Sequence, residues 1–131
     1  MIRPRVLLAD DHPALLEATT ALLKAQFDIV GTAADGATLV LEALRLRPDV
    51  IVADITMPVL TGIDAIHQLR DYALSAKVVF LTIHADEQFV EACIAEGALG
   101  YILKSHMKTD LIPAIKAALI GKSYISPFMS R

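Results

Sequence analysis

The chain has 131 residues, and 12 lysines and arginines against 15 aspartates and glutamates give it a formal net charge of −3. This length suits one domain, and 55% hydrophobic residues exclude a disordered chain, which would lack the apolar surface that offsets chain entropy. The charge balance gives no support to nucleic-acid binding by bulk charge, and the single Cys93 excludes a disulfide framework and a multi-cysteine metal site.

Five short apolar blocks alternate along the chain with longer segments of helical periodicity. The blocks predict strands near residues 5–10, 28–34, 49–54, 77–82 and 99–103. Three of them are continuous apolar runs, which is typical of strands covered on both faces. Five successive strand–helix units therefore predict a doubly wound α/β fold, (βα)5, in which helices cover both faces of a five-stranded parallel sheet.

Proline and glycine mark several predicted helix ends. Pro13 is placed to begin the first helix, and Gly97 and Gly121 are placed to end the fourth and fifth. Pro113 lies early in the fifth helix, near the limit of where proline is tolerated, so it leaves the start of that helix open.

The predicted domain covers residues 1–122, and residues 123–131, which show no clear periodicity, are expected to begin a linker or tail. No stretch approaches the roughly 20 apolar residues that a membrane-spanning helix needs. Arg3 and Arg5 lead directly into the first strand, without the pattern of a signal peptide. We therefore expect a soluble, cytoplasmic domain without membrane contact.

Polar residues follow the predicted strands at the edge where open parallel sheets bind ligands. Asp10 and Asp11 follow the first strand, Asp54 the third, Thr82 the fourth and Lys104 the fifth. Adjacent strands lie about 4.8 Å apart. If the first and third strands are neighbours, three carboxylates share one pocket that the threonine and the lysine border.

Such a pocket predicts a metal and a phosphoryl group. Three crowded carboxylates repel one another and stay ionised only around a cation. Oxygen ligands select a hard divalent ion such as Mg²⁺, which takes only one or two carboxylates and leaves room for phosphate oxygens. A carboxylate, a metal and a lysine around a phosphoryl group indicate transfer onto the carboxylate itself.

Each residue also has an ordinary structural interpretation. Taken singly, Asp10 and Asp11 are solvated residues that cap the first helix, and Asp35, which precedes Gly36, is a turn and cap residue rather than a ligand. Cys93 is assigned to the core. The histidines show no metal-ligand spacing and are assigned to surface or packing roles: His12, His67, His84 and His106.

Taken together, the polar residues resemble the receiver domain of two-component response regulators over about residues 4–122. The resemblance is carried by Asp10-Asp11, by Asp54 with Met57-Pro58 and Gly62 after it, by Thr82, and by Gly100-Tyr101-Ile102-Leu103-Lys104. The stretch Leu81-Thr82-Ile83-His84 and the late Gly-Lys-Ser-Tyr-Ile-Ser-Pro are similar to the NarL/LuxR-type subfamily. The resemblance implies the flavodoxin-like strand order 2-1-3-4-5.

The resemblance also implies a role for each site residue. Asp54 would be the phosphoacceptor, and Lys104 would contact the phosphoryl group. Thr82 and Tyr101 would act as a switch on the face of the fourth helix, fifth strand and fifth helix, although Tyr101 could also be plain packing. Three residues would tune access and phosphoryl lifetime: Thr56, Ile83 and His84. The implied Mg²⁺ ligands are Asp11, Asp54, the backbone carbonyl of Thr56 and, through a water, Asp10.

Two positions depart from the family pattern. Ser105 follows Lys104 where many receivers carry a cis proline. A cis bond before any other residue costs about 2.5–4 kcal/mol, so we expect a trans bond and a differently shaped loop. Ile83 stands where many receivers carry alanine, and its bulk could narrow access for small phosphodonors or water.

The function implied is a phosphorylation-dependent signalling domain, not a turnover enzyme, although self-dephosphorylation is compatible with it. Its partners would be a sensor histidine kinase or phosphotransfer protein, with a homodimer left open. DNA contact is expected only through a downstream LuxR-type helix-turn-helix domain outside these 131 residues.

Three other functions are possible for a chain of this fold class. One is a phosphorylation-independent, receiver-like interaction module. A second is a haloacid-dehalogenase-like phosphatase, but that class needs a second aspartate two residues after the nucleophile, where Thr56 stands. A third is a Rossmann nucleotide-binding domain, but its G-x-G-x-x-G signature is absent from the sequence.

Overall fold

The computed structural model describes residues 2–83 and 86–126. Within these residues, strands and helices alternate as the sequence predicts, and the five predicted strands fall within one residue of the observed bounds. The elements are β1 (Arg5–Ala9), α1 (Pro13–Leu23), β2 (Asp28–Ala33), α2 (Gly36–Leu46), β3 (Val50–Asp54), α3 (Gly62–Leu69), β4 (Lys77–Thr82), α4 (Glu87–Ala95), β5 (Gly100–Leu103), α5 (Met107–Leu119) and β6 (Tyr124–Ile125).

The strands form one parallel sheet in the order β2-β1-β3-β4-β5-β6. The expected order 2-1-3-4-5 is confirmed, but the expectation of five strands is wrong by one. Tyr124 and Ile125 pair with Gly100 and Tyr101 of β5, inside the segment that we expected to begin a linker. A strand of two residues is too short to show the alternation by which strands are recognised in sequence. The rest of that segment, 127–131, lies outside the described residues.

The sheet is covered by helices on both faces, and successive strand residues alternate between two apolar layers. One layer packs strand residues such as Leu8 and Val52 against α1 and α5. The other packs Leu7 and Ile51 against α2, α3 and α4. Since both faces of each central strand are buried, the strands read as continuous apolar runs.

The helix ends follow the predicted chemistry. Pro13 is the first residue of α1, and Gly97 and Gly121 adopt left-handed conformations, with φ of 86° and 79°. The Asp35 carboxylate accepts a hydrogen bond from the Thr38 backbone N–H at 2.7 Å, which confirms its assignment as the cap of α2.

Two assignments inside helices are also settled. Pro113 lies within α5, which begins at Met107, and its side chain is exposed. Cys93 is 1% exposed in the core, and burial raises the pKa of its thiol to about 12.

Among the described residues, no helix combines the length and the apolar character that crossing a bilayer requires.

The loop after β3 returns close to the strand it leaves. The Gly62 backbone N–H donates to the Ile55 carbonyl at 2.8 Å, and a Cβ at Gly62 would lie 2.1 Å from the Asp54 carbonyl oxygen. Only glycine fits at such a distance, so Gly62 allows α3 to begin directly against the end of β3.

We predict that Gly62→Ala lowers the free energy of unfolding by about 3 kcal/mol, because the new methyl group forces the Asp54 backbone aside. Gly121→Ala is the control. It has open space around the new Cβ but a left-handed φ, and should cost about 1 kcal/mol. Urea denaturation of both variants measures the difference, and equal costs would contradict the close approach of Gly62 to β3.

Candidate functional site

The predicted acidic residues meet at the carboxyl edge of the sheet. β1 and β3 are neighbours, with Ala9 opposite Ala53, so the residues that follow these two alanines emerge side by side. Carboxylate oxygens of Asp10, Asp11 and Asp54 lie within 4.8 Å of one another. The convergence that the strand order required is therefore present.

Lys104 reaches this cluster from the end of β5. Its Nζ lies 2.9 Å from Asp54 Oδ2 and 3.0 Å from Asp10 Oδ2. The side chain crosses the end of β4, since β4 lies between β3 and β5. Lys104, Asp10 and Asp54 are only 6%, 4% and 2% exposed, so these charges interact with little screening by water.

The cluster holds more negative than positive charge. Burial raises the pKa of the Asp54 carboxyl, the Lys104 ammonium opposes the rise, and the Asp10 charge adds to it. Among the described residues, Asp10 Oδ2 and Asp11 Oδ1 are buried without a hydrogen-bond partner. The Lys104 ammonium lies near Asp10 Oδ2 as an ion pair. Asp11 Oδ1 lies 3.2 Å from the His12 ring nitrogen. Three carboxylates that face one buried ammonium match the donor set that a divalent, oxygen-preferring cation needs.

His12 lies at the same cluster, which the sequence analysis missed. Its Nδ1 is 3.2 Å from an oxygen of Asp10 and 3.2 Å from one of Asp11, and its backbone N–H donates to Asp10 Oδ1 at 2.9 Å. The ring is 67% exposed, as a surface assignment implies. The sequence signal for this contact is the position of His12 directly after the two aspartates. Spacing between histidines, which was the criterion for a metal site, carries no information about a single histidine.

Thr82 and Tyr101 lie behind the acidic cluster. Thr82 is fully buried at the end of β4. The tyrosine ring is turned inward and is 2% exposed; burial raises the pKa of its hydroxyl, and the neighbouring Thr82 side chain opposes that rise. The two predicted switch residues therefore lie next to each other on adjacent strands.

The predicted access residues differ in position. The Thr56 backbone N–H donates to Asp54 Oδ1 at 3.2 Å, which holds this residue at the cluster. Ile83 is 70% exposed, and His84 lies outside the described residues. The peptide bond between Lys104 and Ser105 is trans, as expected, and residues Lys104–His106 form a single 3-10 turn before α5.

Two other predicted surface histidines lie elsewhere. His67 Nδ1 is 3.0 Å from Glu96, which joins α3 to the end of α4 on the surface. His106 Nδ1 is 3.0 Å from the Ser105 hydroxyl. Neither residue belongs to the acidic cluster.

Comparison with known proteins gives one consistent family. A model of the response regulator receiver domain matches residues 6–116. The transcriptional regulatory protein LiaR of Bacillus subtilis is 39% identical over 120 residues, which cover 90% of this chain and 57% of LiaR. The nitrate/nitrite response regulator protein NarL of Escherichia coli is 34% identical over 123 residues, covering 92% of this chain and 57% of NarL. The chain spans 53% to 62% of the first relatives found.

Solved structures show the same fold. A LuxR-family two-component response regulator from Aurantimonas sp. SI85-9A1 superposes with a TM-score of 0.92 at 31% identity, covering 97% of this chain and 92% of that one. The receiver domain of the response regulator NarL from Mycobacterium tuberculosis gives 0.88 at 28% identity, covering 93% and 100%. With the family model and these relatives in agreement, the chain belongs to the receiver domains of two-component response regulators, of NarL/LuxR type.

Proposed function

We propose that this receiver domain accepts a phosphoryl group on Asp54 from a sensor histidine kinase or phosphotransfer protein, with the help of Mg²⁺. The observation that supports it most is the convergence of Asp10, Asp11 and Asp54 within 4.8 Å together with the Lys104 ammonium 2.9 Å from Asp54 Oδ2. A buried nucleophilic carboxylate, an acidic metal set and a fixed cation are the parts that phosphoryl transfer to an aspartate requires.

The metal ligands in this proposal are Asp11, Asp54 and the backbone carbonyl of Thr56, with Asp10 acting through a water. Mg²⁺ bound there would neutralise charge on the carboxylates and on the phosphoryl oxygens. The buried oxygens of Asp10 and Asp11 that accept no hydrogen bond fit this assignment, since three carboxylates face one buried ammonium and Mg²⁺ would supply the missing positive charge.

The transfer step follows from these roles. A carboxylate oxygen of Asp54 forms a bond to phosphorus, while the bond from phosphorus to the donor histidine nitrogen breaks. The electron pair of that bond stays on the imidazole, which takes up a proton. Lys104 lies near enough to exchange its contact with Asp54 for one with a phosphoryl oxygen, where it would stabilise the charge that has moved there.

The output would begin at Thr82 and Tyr101. A new phosphoryl oxygen would offer Thr82 an acceptor near the site, and the buried Tyr101 on the adjacent strand would respond with it. This would bias the surface of α4, β5 and α5 between two states. In a longer protein like the curated relatives, that surface would control a LuxR-type DNA-binding domain, so DNA contact would come from that domain and not from this one.

Three residues would set how fast the phosphoryl group arrives and leaves. Thr56 is held at Asp54 by its backbone, and Ile83 projects into solvent directly after Thr82. His84 completes the set as a sequence-based proposal. Slow hydrolysis of the acyl phosphate would return the domain to its first state without making it a turnover enzyme.

We predict that acetyl phosphate or phosphoramidate with Mg²⁺ adds one phosphoryl group, about 80 Da, to Asp54. Intact-mass measurement followed by borohydride reduction and peptide mapping would locate it. Asp54→Asn should remain unmodified.

The matched control is Asp35→Asn, which changes an aspartate at another strand end that caps α2; it should be phosphorylated like the wild type. Because Ile83 could hinder small donors, a phosphorylated histidine phosphotransfer protein is tried as well. Modification at a residue other than Asp54, or turnover of a phosphomonoester, would contradict the proposal.

We predict that Asp54→Asn stabilises the fold in metal-free buffer at neutral pH, by about 1 kcal/mol, although it loses the contact with Lys104. The folded-state pKa of Asp54 is raised above its ordinary value, mainly by burial. The ionised carboxylate therefore costs stability at pH values above both pKa values.

The advantage of Asp54→Asn should shrink as the pH falls through the raised folded-state pKa towards the ordinary pKa of an aspartic acid, about 3.9. Below both values, wild-type Asp54 is neutral in the folded and unfolded chains alike. Urea denaturation from pH 7 to pH 4 in EDTA measures this. A variant that is less stable than the wild type at pH 7 would mean that the Lys104 contact outweighs the charge crowding.

We predict that Mg²⁺ raises wild-type stability, by about 1.4 kcal/mol when its concentration is ten times its dissociation constant. Thermal unfolding with and without MgCl₂ measures the shift, with KCl at matched ionic strength as the control. Asp11→Asn, which removes a proposed direct ligand, should abolish most of it, whereas Asp35→Asn should keep it. Equal shifts in both variants would exclude this metal site.

A further inference from the structure

The chain after α5 is fastened to the edge of the sheet beside the site. The Tyr124 backbone N–H donates to the Leu99 carbonyl at 2.8 Å, and the Ser126 N–H donates to the Tyr101 carbonyl at 2.9 Å. These bonds make β6 the neighbour of β5. β5, which would otherwise be an edge strand of four residues, is thus held on both sides as far as Tyr101.

Ser126 extends this support to the end of β5 by its side chain. Its hydroxyl accepts a hydrogen bond from the Leu103 backbone N–H at 3.2 Å, an N–H that a longer β6 would satisfy with a backbone carbonyl. Ser126 is fully buried. Leu103 directly precedes Lys104, so this bond fixes the backbone from which the lysine side chain leaves the sheet.

Asp110 of α5 holds Ser126 in turn. Its Oδ2 accepts a hydrogen bond from the Ser126 hydroxyl at 2.9 Å, and its Oδ1 accepts one from the Tyr124 hydroxyl at 3.1 Å. Asp110 is 7% exposed and lies in the first turn of α5, where the helix dipole favours a negative charge. A buried carboxylate needs such donors, so α5 and β6 depend on each other for this contact.

We propose that Ser126 and Asp110 are positioning residues for phosphoryl transfer: they fix the end of β5 and thereby hold the Lys104 ammonium at Asp54. This inference rests on the proposed function. Lys104 must extend past β4 to bring Nζ within 3.0 Å of both Asp10 and Asp54. Because a catalytic group displaced by 1 Å can cost about a hundredfold in rate, a loose origin for this long side chain would slow the transfer.

The rate test compares serines three residues apart. Ser126→Ala removes the buried hydroxyl, whereas Ser123→Ala removes an exposed one from the same segment. We expect Ser126→Ala to lower the rate of phosphorylation by phosphoramidate about tenfold, while Ser123→Ala leaves it unchanged. The affinity for Mg²⁺ should not fall in either variant, because the proposed metal ligands lie at the ends of β1 and β3, and a displaced Lys104 ammonium competes less with Mg²⁺ for Asp10 and Asp54.

Variants of Asp110 give a graded comparison. Asp110→Asn keeps one acceptor oxygen, whereas Asp110→Ala keeps none, so Asp110→Ala should slow phosphorylation more than Asp110→Asn. Asp28→Asn, a change at an exposed residue at the start of β2, is the control and should have the wild-type rate. A general loss of structure would instead weaken Mg²⁺ binding in step with the rate.

A readout that does not depend on phosphorylation separates this inference from the proposed function. In ¹⁵N NMR spectra, the buried Lys104 ammonium should give a signal in the wild type and in Ser123→Ala, and it should broaden or shift in Ser126→Ala. Amide hydrogen exchange at Leu103 should become at least tenfold faster in Ser126→Ala only.

The outcomes are then distinct. A slower rate with altered Lys104 and Leu103 signals and an undiminished Mg²⁺ affinity supports the positioning role. Unchanged Lys104 signals in Ser126→Ala, or a fall in Mg²⁺ affinity that matches the fall in rate, overturns it. If the wild type is never phosphorylated, the proposed function fails, and the NMR signals still decide whether Ser126 positions Lys104.

Discussion

The fold of this receiver domain is organised around charges that repel one another. Asp10, Asp11 and Asp54 have oxygens within 4.8 Å, and the Lys104 ammonium lies among them with little solvent. Such a group forms only if the backbone imposes it, because free carboxylates would separate. The backbone holds these side chains together at one edge of the sheet, because β1 pairs in parallel with β3 and because β5 ends at the same edge.

The site and the core have opposite effects on the stability of the fold. The two apolar layers on either side of the sheet favour the fold, whereas the buried acids weaken it, and the raised pKa of Asp54 expresses that cost. A site of this kind is relieved by a cation or phosphoryl group that reduces the repulsion. In the function proposed above, this local destabilisation would make the domain sensitive to Mg²⁺ and to phosphorylation.

The sequence predicts the parts of this design that depend on local pattern and order. Continuous apolar runs indicate buried strands, and alternation with helices predicts a parallel sheet. Strand-end positions then bring Asp10, Asp54 and Lys104 to one edge. The strand order itself came from the family resemblance, because pattern alone does not say which strands pair.

What the sequence did not reveal consists of contacts without a local signature. β6 has two residues, too few to show alternation, so the pattern predicts a linker or tail for residues 123–131. The bond between Ser126 and Asp110 joins residues 16 positions apart on different elements, and nothing in either neighbourhood marks it. The contact of His12 with the acidic cluster is unpredictable for a different reason. It depends on the directions of the Asp10 and Asp11 side chains, which are set only when the junction between β1 and α1 has folded.

β5 and the lysine that follows it link these expected and unexpected features, because neighbouring residues of this short segment make different contacts. The Tyr101 backbone carbonyl accepts a hydrogen bond from the Ser126 N–H, the Leu103 N–H donates to the Ser126 hydroxyl, and the Lys104 ammonium donates to Asp54. A shift of β5 that changes one of these contacts also changes the others, because the four residues of the strand are already extended. The strand that leads to Lys104 is therefore also the strand that pairs with β6.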